Sequence, residues 1–171
     1  MITIGIDPGL SGACAVLDHN GLRVVFDLPT MQIPNVGTVA LVQRKVDGLA
    51  LAGLLRQHIP PGEPVTAAVE AVSAMGGKNN SIQTQGSLMR TLGAIEAVLE
   101  CFRYPVTYAS PTTWKKFYGL IDPKAKDSQR KAASLAKARA LYPGCTDIAR
   151  AKDNNRAEAI LIAHWHMRTT E

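Results

Sequence analysis

Ile2-Thr3-Ile4-Gly5-Ile6-Asp7-Pro8-Gly9 is the stretch on which the reading of this chain turns. Ile2, Thr3, Ile4 and Ile6 are β-branched, which predicts a strand, and Asp7-Pro8-Gly9 is a turn signal that ends it. The strand therefore delivers a carboxylate to its own C-terminal end. Two more strand-like runs follow at 12–17 and 22–28, with His19-Asn20-Gly21 supplying hairpin chemistry between them. Three antiparallel strands at the N-terminus are expected.

Further out, residues 47–58 place Leu51, Leu54 and Leu55 at helical spacing before Pro60-Pro61 stops the run. The run 65–72 predicts a buried strand with a single charge, Glu70. In 87–102, Leu88, Leu92, Ile95, Leu99 and Phe102 recur every three or four residues, the pattern of an amphipathic helix. A short strand at 105–109 comes next, and Ser110-Pro111 suits an N-cap and first position for a helical segment around Trp114. An alanine-rich basic helix spans 127–141 before Pro143-Gly144, and 154–167 closes with Ile160, Leu161, Ala163 and Met167 as a core face. The order βββ-α-β-α-β with helices after it predicts an α/β fold: a mixed five-stranded sheet flanked by helices.

The 171 residues are 46 % hydrophobic and 19 % charged, without repeats, low-complexity tracts or linkers, and read as one domain, 1–171. Cys14, Cys101 and Cys145 match no metal-ligand spacing and are expected to be reduced thiols in a cytoplasmic protein. Neither a secretory leader nor an apolar run of membrane-spanning length is evident, so no membrane partner is expected. Charge is uneven. Residues 1–110 hold 7 Lys+Arg against 8 Asp+Glu, whereas 111–171 hold 12 against 6. A basic segment on a neutral body suits a polyanion partner, because each phosphate contact releases counterions, although a solvated helix face has the same composition.

An ionised carboxylate in an apolar strand is costly unless it is paired or binds a cation, so Asp7 and Glu70 each require a partner. If the first and fourth strands lie side by side, the two meet at one sheet end, where Asp153 and Glu158 at the last helix add oxygen ligands. Mg²⁺ and Mn²⁺ take such carboxylates together with waters and phosphate oxygens. Singly, Asp7 also reads as a turn residue, Asp153 as an N-cap and Glu158 as a surface glutamate.

Ile4-Gly5-Ile6-Asp7-Pro8-Gly9, Val69-Glu70-Ala71-Val72 and Asp153-Asn154-Asn155-Arg156-Ala157-Glu158-Ala159 together resemble the RuvC family of Holliday-junction resolvases, especially its bacteriophage and poxvirus branch. The resemblance covers nearly the whole chain and implies a ribonuclease H-like fold. It implies that Asp7, Glu70, Asp153 and Glu158 are catalytic metal ligands for two Mg²⁺ ions, with Mn²⁺ as a substitute. Lys115 resembles the family's basic residue at the scissile phosphate, and Lys126 one on the junction backbone. Lys116, Lys124, Arg130 and Lys131, with Lys78, Asn79 and Asn80 in the glycine-rich loop, complete the expected DNA contacts. Where cellular members place an aromatic wedge after the glutamate, this chain has Ser73, with Met75 as an apolar alternative.

Cellular members carry two aspartates three apart at the last helix, and here Asn155 stands at that spacing from Glu158. At about 100° per residue Asp153 and Glu158 lie about 140° apart on a helix, so Asp153 reaches the same metal only from the N-cap or before it. Removing either carboxylate is expected to impair cleavage and to leave thermal stability near wild type, since like charges are relieved. His164 and His166 are expected at the surface, and Trp114 and Trp165 in packing.

The resulting expectation is a metal-dependent, structure-selective endodeoxyribonuclease that resolves four-way DNA junctions, leaving 5′-phosphate and 3′-hydroxyl ends, in a bacterial or phage-infected cell. Junction symmetry calls for a homodimer, with the 87–102 helix as its interface. The alternatives are a broader branched-DNA debranching nuclease and a non-catalytic junction-binding protein. A nucleotide-binding module is disfavoured, because no glycine-rich P-loop is present.

Overall fold

Alternation along the strands decides which face of the sheet each side chain takes. In the computed structural model, which describes residues 1–34, 44–72 and 82–170, strand β1 (Ile2–Asp7) points Ile2, Ile4 and Ile6 into one core and leaves Thr3, Gly5 and Asp7 on the opposite face. Strands β2 (Ala13–Asp18) and β3 (Gly21–Asp27) continue antiparallel, joined by the expected hairpin with Gly21 at φ 116°. Strand β6 (Val65–Glu70) pairs parallel with β1, Ile6 against Val69, and β7 (Val106–Ala109) pairs parallel with β6. The order β3-β2-β1-β6-β7 is the mixed five-stranded sheet anticipated from the sequence.

Helices α1 (Gly48–His58) and α2 (Ile82–Cys101) cover the face of Ile2, Ile4, Cys14, Val16 and Val69, burying Leu51, Leu55, Ile95 and Leu99 there. On the other face lie α3 (Pro111–Phe117), α4 (Asp127–Leu141) and α5 (Asn154–Thr170), around Trp114, Leu135, Ala157, Ile160 and Leu161. Asp47 caps α1 as its position suggests, accepting from Ala50 N–H at 3.0 Å. No helix among the described residues is long and apolar enough to cross a membrane.

The helix expected at 87–102 begins earlier, at Ile82, because the first turn is exposed and carries no apolar period to betray it. A separate two-stranded sheet, β4 (Thr30–Gln32) with β5 (Arg44–Val46), was not anticipated, since three-residue strands are too short to show alternation. A 3₁₀ turn at Thr146–Ile148 follows Pro143-Gly144. His166 is not at the surface: it is 2 % exposed, with Nε2 2.9 Å from Thr66 Oγ1. His164 is half-buried, its Nδ1 2.8 Å from the Tyr118 hydroxyl. Both are covered because α5 lies between the sheet and α3–α4 and is enclosed on nearly every side.

The contact between β1 and α5 leaves no room for a side chain. A Cβ on Gly5 would stand 2.3 Å from Ala163 N and 2.4 Å from Ala159 O, well inside van der Waals contact with helix backbone. Gly5→Ala is therefore expected to destabilise the protein by about 3 kcal/mol or to prevent folding, the upper range for overpacking. Gly53→Ala, in an open position within α1, is expected to gain roughly 0.5–1 kcal/mol from helix propensity. Denaturant unfolding of the two variants side by side measures both.

Candidate active site

Two parallel neighbours carry their final residues to the same sheet end. Asp7 follows Ile6 and Glu70 follows Val69, which are register partners, and both side chains lie on the α5 face. The close seating of α5 then brings Glu158 in, one residue before the Ala159 carbonyl that abuts Gly5. Asp7 feels the charges of Glu70 and Glu158, and Glu70 that of Glu158, so three of the four expected carboxylates form one electrostatic group.

Each acid has a different environment. Burial, then repulsion from Glu70 and Glu158, holds the Asp7 carboxyl well above the usual carboxylate range. No hydrogen-bond donor among the described residues reaches it. Burial, then the charge of Glu158, also raises Glu70, opposed by Lys115 and by the Trp114 indole, whose Nε1–H donates to Glu70 Oε1 at 3.0 Å. Glu158 Oε1 accepts from Ser134 Oγ at 2.9 Å and faces Lys115 Nζ at 3.4 Å. That ammonium also lies 4.8 Å from the centre of the Trp114 ring.

Asp153 turns elsewhere. Its carbonyl accepts the first helical bond of α5 from Ala157 N–H at 3.0 Å, so it occupies the expected N-cap position. Its carboxylate, however, is 3 % exposed and is taken by Arg150: Nη2 donates to Oδ1 at 2.7 Å and the backbone N–H to Oδ2 at 2.7 Å. Those bonds hold Asp153 below the usual carboxylate range. Arg156 closes a neighbouring pair with Asp27, two bonds of 2.7 Å, which depresses Asp27 likewise. Asn155, three residues before Glu158, donates to the Ser11 carbonyl in the loop after β1. The structure thus joins Asp7, Glu70 and Glu158 and assigns Asp153 to a structural ion pair. An arginine three positions before an aspartate was the sequence signal for this.

The basic residues sort by position. Lys115 belongs to the site, while Lys116, Lys124, Lys126, Arg130 and Lys131 are exposed on α3, α4 and the segment between them. Lys131 pairs with Asp127 at 3.2 Å yet still lowers the Asp7 carboxyl through its charge. A cleft of about 400 Å³ opens beside Glu158, lined by Pro111, Thr112, Lys115, Ile121, Arg130 and Ser134 among others. Ser73, Met75, Lys78, Asn79 and Asn80 lie outside the described residues. Ser134 and Trp114 are contacts that sequence reasoning missed: a serine in an alanine-rich helix carries no signal, and a tryptophan reads first as packing.

The donor chemistry suits a hard divalent cation: three carboxylates within electrostatic reach of one another, two of them raised by burial and mutual repulsion, and one that no donor among the described residues reaches. Among the described residues no three such side chains are drawn together as closely as a metal site requires.

No protein-family model matches the chain. It is 39 % identical over 127 residues, 71 % of its length, to the chloroplastic Holliday junction resolvase MOC1 of Chlamydomonas reinhardtii, and the match spans 13 % of that relative. Among solved structures it is similar to T. thermophilus RuvC in complex with a Holliday junction substrate, with TM-score 0.61 and 16 % identity over 99 % of this chain and 96 % of that one. It is also similar to another Thermus thermophilus RuvC structure, with TM-score 0.59 and 18 % identity over 99 % and 97 % of the two chains. The fold is ribonuclease H-like.

Two stability outcomes separate the carboxylates. A raised folded-state value means that the native protein binds more protons than the unfolded chain above the ordinary Asp pKa of about 3.9, so Asp7 costs stability as pH rises through that interval. In metal-free protein, Asp7→Asn is expected to unfold at a higher temperature than wild type at pH 7, with the gap closing towards pH 4. Asp153 has the opposite sign: its stabilisation is present above the unfolded value and is lost as pH falls through the depressed one. Asp153→Asn is expected to lower stability at pH 7 by about 1–2 kcal/mol, the loss of charged hydrogen bonds, contrary to the neutral outcome expected from sequence. Thermal unfolding in EDTA across this pH range measures both.

Proposed function

We propose that the chain is a RuvC-type Holliday-junction resolvase of the bacteriophage and poxvirus branch, a divalent-metal-dependent endonuclease acting on four-way DNA. The observation that carries this reading is the meeting of Asp7, Glu70 and Glu158 at one sheet end beside a cationic cleft. The match to a chloroplastic junction resolvase and the likeness to RuvC solved on a junction support the substrate.

Asp7, Glu70 and Glu158 are the residues that hold two Mg²⁺ ions, or Mn²⁺ in their place. When bound, such ions neutralise charge on a phosphodiester and lower the pKa of an attacking water. Lys115 stands ready at the rim: its ammonium, held between Glu158 and the Trp114 ring, is placed to meet charge developing on a phosphate oxygen. The cleft beside it, with Arg130 at its wall, receives the neighbouring backbone. Lys116, Lys124, Lys126 and Lys131 extend that positive surface along α3 and α4 and bind without reading sequence. A four-way junction has two-fold symmetry, so paired cuts call for two copies of the chain. An apolar groove between α1 and α2, lined by exposed Leu49 and half-buried Val98 and Phe102, supports α2 as the meeting face.

The test is a labelled four-way junction in Mg²⁺, with duplex and single strand as controls. Wild type is expected to cut the junction alone. Asp7→Asn and Glu70→Gln are expected to abolish cleavage while binding the junction within about tenfold of wild type, or 1.4 kcal/mol. Cleavage by either variant at the wild-type rate refutes the acidic site, and cutting of forks and flaps at equal rate points to a general debranching nuclease.

A further inference from the structure

The acidic group contains an asymmetry that burial and charge alone do not explain. Among the described residues, both glutamates are approached at one oxygen. Glu70 Oε1 accepts from Trp114 Nε1–H at 3.0 Å, and Glu158 Oε1 accepts from Ser134 Oγ at 2.9 Å. No donor among the described residues reaches Oε2 of either.

The donors themselves are fixed. Trp114 is fully buried and Ser134 is 1 % exposed. Ser110 and Pro111 start α3 directly after β7, whose last residue, Ala109, is the register partner of Glu70. The Trp114 ring is therefore delivered from the adjacent strand into the core on the α5 side of the sheet. A buried indole N–H needs an acceptor, and here the acceptor is a carboxylate. Packing alone is satisfied by phenylalanine, leucine or methionine, none of which donates.

We propose that Trp114 is a positioning residue for metal binding: its N–H occupies Oε1 of Glu70 and sets the carboxylate plane so that Oε2 faces the site, with Ser134 doing the same for Glu158. Outer partners of this kind fix the orientation of a ligand, and their loss typically weakens metal affinity 10–100-fold. The inference rests on reading Glu70 as a metal ligand.

Direct Mn²⁺ titration of the DNA-free protein by calorimetry tests it. Trp114→Phe removes the donor but also leaves a void, so the decisive variant replaces Trp114 with 3-benzothienylalanine, an isostere with sulfur in place of N–H. Ser134→Ala is the companion. The isostere and Ser134→Ala are each expected to weaken Mn²⁺ at least fivefold while thermal unfolding without metal stays within a few degrees of wild type. Affinity for the isostere less than fivefold weaker than wild type overturns the inference for Trp114, and the same result for Ser134→Ala overturns it for Ser134. Loss of fold in the isostere shows a packing role and also overturns it. Glu70→Gln separates the two levels. If it abolishes Mn²⁺ binding while the isostere does not, only the positioning role fails; if it binds Mn²⁺ like wild type, Glu70 is no ligand and the underlying reading fails first.

Discussion

The backbone-to-backbone contact of Gly5 with Ala159 and Ala163 is the constraint on which the rest depends. A helix seated on a sheet through side chains is held off by the thickness of those side chains. Removing the side chain from the strand lets α5 descend until its carbonyl and amide lie where a Cβ would be. That depth carries Glu158, at the next position, to the sheet end occupied by Asp7 and Glu70. Apolar alternation in β1 and β6 places two acids on the correct face, and the missing Cβ brings the third.

The acids are held at a cost to the empty protein. Burial and like charge oppose ionisation of Asp7 and Glu70, and the surrounding donors offset this only in part. Stability and the proposed metal-binding role thus draw on this corner in opposite directions, as strained or desolvated sites commonly do. Asp153 belongs to the other side of that balance. Buried and bonded to Arg150, it fixes the start of α5 and so helps to set the height and angle at which Glu158 arrives.

Much of this was legible before any coordinates. The three N-terminal strands followed from β-branching and turn chemistry, and Asp7 and Glu70 stood out because a charge in an apolar strand demands an explanation. Asp153 and Glu158 were both read as oxygen ligands brought by the last helix, and helical spacing alone could not choose between them. Asp153, expected at the metal, is bonded to Arg150 in the structure, and the sequence could not show this because two outlets for a carboxylate at a helix start, a cation in the site and the guanidinium three residues back, leave the same trace. The direction of the Trp114 indole was invisible, since a residue type states what can be donated and not where. The β4–β5 pair and the first turn of α2 lacked any period to read.

The placement of unspent positive charge has a kinetic consequence. Arg23, Arg150 and Arg156 are tied to Asp18, Asp153 and Asp27, so they contribute little field at a distance. Lys116, Lys124, Lys126 and Arg130, exposed in a chain of net charge +5, give one side of the acidic corner a positive surface. On the proposed reading, such a surface would turn a polyanion during its approach, so that a larger fraction of collisions arrive with the backbone already facing the cleft. This acts on the rate of encounter rather than on the strength of the final complex. It fades once salt shortens the screening length to about 8 Å, leaving recognition to the contacts made after arrival.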